Sequence, residues 1–314
     1  KYDKDIQLTG DLAERWEVSE DGLEIVFYLR KNVRWHDGHL FTAEDVSFTY
    51  QKLIDPTVPT PYSGEFEKIE RLEKIDDHSV KVVYKEPFSP GLASWGMAMM
   101  PKHLLEHEDF TKSAFSPHPI GTGTYRFKEW KTAQYVTLEA NPDYFEGRPY
   151  IDGYLYRIIP DQATLFLELR AEGVDSLPLT PLQYERQTET PFFRKTYQKF
   201  RYPSFAYTYV GYNLADPRFQ DLRGRMALAL AIDRQAIING ILLGLGQEST
   251  GPFVPTSWAY NPDIKPLPYD PEEARRLLEE AGWRDNDGDG WLDKNGETFE
   301  FILLTNQGNE QRKM

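Results

Sequence analysis

Leu23, Ile25, Phe27 and Leu29 alternate with Glu24, Val26, Tyr28 and Arg30, a period of two that predicts a strand. The turn residues Ser19–Gly22 precede it, and "WEV" before them predicts the other arm of a hairpin. "HDG" at 36–38 marks the next turn. Thr42 then opens a predicted helix, with Asp45 placed for a capping box and Val46, Tyr50, Leu53 and Ile54 on one apolar face. Asp55-Pro56 stops it. Further on, 79–84 reads as a strand, Pro101 begins a short helix "PKHLLEH", and 125–130 with 135–140 reads as a second hairpin.

The pattern changes near residue 150. "YLYRII" predicts a short apolar strand, "DQATLFLELRAEG" a helix capped by Asp161 and ended by Gly173, and "VDSLPL" another strand. Strand, helix and strand in so short a space predict a parallel crossover. Phe205, Tyr207 and Tyr209 begin a further strand. Helices follow over 218–232, from Asp233 to about 243, and from Asp270-Pro271 to a stop at Gly282. A β-rich first half followed by alternating strands and helices points to an α/β protein in lobes.

Composition narrows the function. The 314 residues carry 50 Asp+Glu against 36 Lys+Arg, a net charge of −14, and the basic residues form no cluster. A phosphate-tracking surface needs such a cluster, so nucleic acid is not an expected partner. No cysteine is present, which excludes disulfides, thiolate metal sites and cysteine nucleophiles. No apolar run reaches the length of a membrane span. The opening "KYDKDIQLTGDLAERW" and the closing "LLTNQGNEQRKM" both read as cuts through a longer chain.

Five stretches carry candidate chemistry. "DNDGDGWLDKNGE", 285–297, places Asp285, Asp287, Asp289, Gly290 and Asp293 at calcium-loop spacing, but position twelve is Gly296 and Glu297 comes one residue late. A hairpin tip built from Asp, Asn and Gly is the other reading. "HLLEH" matches an inverted zinc-hydrolase pattern through His103, Glu106 and His107; an amphipathic helix with surface histidines matches equally. "HDGH", 36–39, reads as a turn with exposed imidazoles. "GTGTY", 121–125, lacks the lysine and the helix of a phosphate loop and reads as a chain reversal. In "SFAYTYVGYN", 204–213, Phe205, Tyr207 and Tyr209 share a face, either a buried strand face or a ligand-facing wall to which Gly211 admits close backbone approach. A hidden carboxylate-pair enzyme stays open, since carboxylates abound.

Several phrases together resemble one family: "LTGDLAERWEVSEDGLEIVFYLRKNVRWHDGHLFTAEDVSFTYQKLIDP", "KEPFSPGLASW", "PKHLLE", "GTGTYRFKEW", "LEANPDYFEGRPYID", "RIIPDQAT", "GYNL", "LALAIDRQAII" and "YDPEEARRLLEEAGW". They occur in the order found in the oligopeptide, dipeptide and nickel class of extracellular solute-binding proteins of ABC importers. The resemblance covers nearly the whole chain and absorbs "PKHLLE" and the acidic hairpin as family features. It implies an α/β, periplasmic-binding-protein-like two-lobed clamp, with an extra β-rich domain inserted in the first lobe. On that mapping the extra domain is 1–150, the first-lobe core 151–210, and 211–314 the beginning of a truncated second lobe.

The implied function is capture of a peptide, or a similar small solute, for delivery to ABC permease subunits. The implied protein is a periplasmic or cell-surface monomer with no catalysis and no cofactor, weak calcium at 285–297 aside. The same fold with a metal chelate, a sugar or a signalling peptide as ligand is the alternative. Carried onto this chain, the resemblance assigns ligand contact to Tyr209, Gly211 and Asn213, then to Trp258 and Trp95.

Overall fold

The computed structural model describes residues 1–110, 112–202, 206–255, 257, 259–306 and 312. The chain folds as two compact units, Lys1–Gln162 and Ala163–Met314.

In the first unit, β1 (Ala13–Val18) and β2 (Glu24–Leu29) form the expected antiparallel hairpin, with Trp16 opposite Phe27. Asp21 closes its turn by accepting the Leu23 amide at 3.0 Å. Helix α1 (Ala43–Ile54) begins at a capping box: the Thr42 hydroxyl accepts the Glu44 amide, and the Asp45 carboxylate accepts the Thr42 amide. A single turn α2 (Ser63–Phe66) leads into β3 (Ile69–Asp76) and β4 (Ser79–Tyr84), completing a sheet in the order β1-β2-β4-β3. Alternate residues of β2 and β4, among them Ile25, Phe27, Val80 and Val82, bury one face against Val46 and Leu53 of α1 and against Trp35 and Phe41. Short helices α3 (Gly91–Ser94) and α4 (Lys102–Leu105) flank this core. A second antiparallel sheet joins β5 (Tyr125–Lys131), β6 (Tyr135–Ala140) and β7 (Gly153–Arg157).

The predicted parallel crossover does not form among the described residues. The strand expected at 154–159 is β7, paired antiparallel with β6, and it ends at Arg157. Helix α5 (Gln162–Arg170) follows as expected, but "VDSLPL" is irregular. Pro178 has no amide to give a ladder, and Val174, Leu177 and Leu179 bury their side chains against Phe166, Leu169 and Phe193 instead.

The second unit carries that small core, completed by α6 (Pro191–Thr196). Helices α7 (Leu222–Leu230), α8 (Arg234–Gly240) and α9 (Pro271–Glu280) each start at an aspartate whose side chain accepts a first-turn amide: Asp221, Asp233 and Asp270. α7 packs on α9 through Leu230 and the small residues Ala227 and Ala274, which let the two backbones approach. Gly282, at φ +90°, ends α9 as the sequence indicated. Two-residue strands β8 (Asp293–Lys294) and β9 (Glu297–Thr298) then turn about Asn295 and Gly296, both at positive φ. No helix among the described residues is long and apolar enough to cross a membrane.

Candidate functional site

The stretch Tyr207–Asn213 of the second unit belongs to no helix and no sheet among the described residues. Its aromatic alternation is that of a strand, and a strand offers backbone donors and acceptors to a ladder partner. Tyr207 and Tyr209 lie on one face, rings 5.5 Å apart and tilted by 36°, with Tyr209 72% exposed. Gly211 follows two residues later on that face. A Cβ there would stand 3.2 Å from the Tyr209 ring, so glycine lets the ring lean over the backbone.

Asn213 ends the stretch as a turn residue. Its side-chain oxygen accepts the Ala215 amide at 3.1 Å, and its carbonyl accepts the Asp216 amide. Asp216 caps a short 3₁₀ turn, Pro217–Phe219, and takes a two-pronged contact from Arg218, which holds its carboxyl below the usual range. Arg218 also donates to the Glu300 carbonyl. The opposite face of the stretch is anchored: Tyr212 packs on Phe219 at 5.4 Å, Phe219 on Phe301, and Phe301 on Phe299. An open groove of about 850 Å³ runs between Asn213 and the equally unladdered stretch at Glu300–Ile302.

The other expected ligand residues fare differently. Trp258 lies outside the described residues. Trp95 is a core residue, 8% exposed, its ring edge-on to Phe66 at 5.3 Å and its Nε1 donating to the Tyr84 hydroxyl at 3.2 Å. Its one donor is thus satisfied, and it lines a small apolar cavity of about 170 Å³ together with Trp16, Phe27 and Leu92.

The "HLLEH" zinc pattern is not built. α4 ends at Leu105, so His107 is not carried round onto the face of His103. His103 pairs instead with Asp37, 2.7 Å away, and stacks on His39. Sequence reading missed this trio: Asp37 and His39 are neighbours in a turn, but nothing local says that a helix 66 residues later meets them. His36 of the same turn, expected as an exposed imidazole, is instead half-buried and structural. Its Nδ1 accepts the Gly121 amide, so the proton sits on Nε2, which donates to the Gly123 carbonyl at 3.0 Å. Burial there lowers its pKa.

In the acidic loop the carboxylates of Asp285, Asp287 and Asp289 converge. They also hold the loop's own backbone: Asp285 accepts the Gly288 and Gly290 amides, Asp287 that of Asp289, and Asp289 that of Trp291. Asp293 is turned away into β8, where it accepts the Thr298 hydroxyl and bridges back to Arg284. The loop is thus closed at its base by Arg284 and Asp293 and followed by the Asn295-Gly296 turn. Asn295 and Gly296, not the aspartates, form the hairpin tip.

Residues 7–314 match the family described as bacterial extracellular solute-binding proteins, family 5 middle. The chain belongs to this family. Among family 5 relatives, the oligopeptide-binding protein AppA of Bacillus subtilis is 36% identical over 327 residues, covering 100% of this chain and 58% of AppA. The dipeptide-binding protein of Escherichia coli is 30% identical, covering 86% of this chain and 54% of its own. The structure of B. subtilis AppA with a nonapeptide superimposes with a TM-score of 0.89 at 34% identity, over 100% of this chain and 63% of that one. That of NikZ from Campylobacter jejuni with Ni(L-His) gives 0.88 at 31%, over 96% and 60%. The family 5 fold, α/β and periplasmic-binding-protein-like, is therefore the fold of this chain, which spans a little over half the length of these relatives.

Proposed function

We propose that this chain is the body of an extracytoplasmic solute-binding component of an ABC importer, and that it captures peptides along Tyr207–Asn213. One observation carries the reading: a segment outside every sheet among the described residues, with two tyrosines on one face and a glycine beneath the Tyr209 ring. A bound peptide adds to such an edge as a strand, its main chain pairing with the backbone of Tyr209 and Gly211 while the tyrosine rings cover its side chains. The likeness to AppA, whose structure holds a nonapeptide, supports it. The chemistry is capture and release, with no covalent step and no cofactor. The partners are the permease subunits of the importer, and the setting is the periplasm or cell surface. We assign 1–150 to the β-rich domain, 151–210 to the first-lobe core and 211–314 to the second lobe.

A metal chelate bound along the same segment is the second reading, favoured by the likeness to NikZ with Ni(L-His). Thermal-shift panels of mixed peptides and of nickel–histidine chelates separate the two, because only a ligand bound to the folded state raises the melting temperature. A shift with peptides that Tyr209→Ala abolishes supports peptide capture. A shift with the chelate alone transfers the site to the second reading.

A further inference from the structure

We propose that Asp37, His39 and His103 form a binding site for a late first-row divalent cation, with zinc as the reference ion. The site lies on the first unit, so it stands or falls independently of peptide capture.

The trio is assembled by two rigid pieces of chain. The first is the turn 35–40. Trp35, 2% exposed, roots it in the core, and its amide donates to the His39 carbonyl at 2.8 Å. Gly38, at φ +94°, makes the reversal, and Arg34 holds the Gly38 carbonyl at 2.7 Å. This places Asp37 and His39 side by side, with the His39 amide on Asp37 Oδ1. The second piece is α4. Its first amide, that of Lys102, is held by the buried carboxylate of Asp45 at 3.0 Å, which fixes where His103 stands. His103 Nε2 then lies 2.7 Å from Asp37 Oδ2, and its ring stacks on that of His39 at 4.1 Å and 11°. One donor atom from each of the three residues lies within 4.8 Å of the others.

Two imidazoles and a carboxylate make a borderline N₂O set, suited to zinc, nickel or copper and poorly suited to calcium or magnesium. Three protein ligands leave a position for water, and the trio opens on a pocket of about 810 Å³. That pocket is lined by four carboxylates, Asp37, Glu44, Asp45 and Glu106, against two cationic side chains, Arg34 and Lys102. Lys102 is itself engaged by Glu44 at 2.8 Å, so the field favours a cation. His36 is excluded as a ligand, since both of its ring nitrogens are spent on the 121–123 loop.

Coordination makes one geometric demand. A cation lies in the plane of each imidazole that binds it, so the parallel rings must fan apart and the His103–Asp37 hydrogen bond must yield to the metal. Both residues are exposed; the His103 ring lies 6.3 Å from the Trp35 ring with 19% of its side chain accessible, so His39 is the ring freer to turn. Binding would tie the turn at 35–40 to α4.

The test is calorimetric titration of the whole chain with zinc chloride, and with cobalt chloride for its ligand-field absorption. The expected result is one equivalent bound at this site, with a tetrahedral cobalt spectrum. Because losing even an outer-shell partner costs about 10–100-fold in affinity, His39→Gln and His103→Gln should each lose roughly tenfold or more. His107→Gln and Asp287→Asn should leave the affinity unchanged. Far-ultraviolet circular dichroism of each variant confirms folding. No binding by the folded wild-type chain overturns the proposal, as does binding that both His39→Gln and His103→Gln retain.

Discussion

The Asp45 carboxylate joins two helix starts: one oxygen accepts the Thr42 amide that opens α1, and the other accepts the Lys102 amide that opens α4, each at 3.0 Å. Asp45 is 4% exposed, and Thr49, one turn on, repeats the tie by accepting the Met100 amide while donating to the Asp45 carbonyl. A single buried acid thereby sets the position of a short helix that has no length to stabilise itself.

Asp45→Ala should destabilise the first unit by about 2–3 kcal/mol, because two partly buried amides lose a charged acceptor. Asp45→Asn, which keeps one carbonyl oxygen, should fall between the two. Urea unfolding followed by fluorescence reads the difference. Equal stability of Ala and Asn variants with wild type would show that the tie contributes nothing.

Trp95→Ala should cost about 3–5 kcal/mol, the range for removing a large aromatic side chain from a core. Trp95→Phe should cost less while losing the bond to Tyr84. Neither should alter peptide affinity once measured on the folded fraction. A selective loss of affinity in Trp95→Phe, with stability intact, would restore this residue to the ligand site.

Stability should fall in two steps on acidification. Burial lowers the pKa of His36, so the unfolded chain takes up its proton first as pH drops through the ordinary imidazole range. The contribution of neutral His36 is complete above that range and lost below it. Glu44, hydrogen-bonded by Lys102 and Lys74, is held at about 2, below its ordinary 4.5. Its contribution is present above pH 4.5 and lost as pH falls towards 2, and solvent screening keeps it small. His36→Gln should flatten the melting-temperature profile in the upper window only, and Glu44→Gln in the lower one. A profile that neither substitution changes would remove both groups from the pH response.

What the sequence made legible follows from how local each signal is. The β1–β2 hairpin was readable because its period of two and its turn lie within a few residues of each other. Helices α1 and α9 announced themselves through Thr42 and Asp270, whose capping is decided within one turn. Strand β3 was missed because mainly Ile69 and Leu72 face inward, while its other positions are charged and exposed. "VDSLPL" and "AYTYVGYN" have strand composition, but composition cannot say whether a partner strand is at hand. The family 5 phrases carried the fold, whereas the burial of Trp95 depends on contacts with Phe66 and Tyr84 across the unit that no local pattern reports. The meeting of His103 with Asp37 is nonlocal in the same way.

Peptide capture on the backbone of Tyr207–Asn213 is most directly tested by amide hydrogen exchange on the chain, with and without a saturating pool of mixed peptides. Strand addition should slow exchange of amides between Tyr207 and Tyr212, and Gly211→Val, which crowds the Tyr209 ring, should abolish that protection. Peptide binding that leaves these amides exchanging as before would contradict capture at this segment.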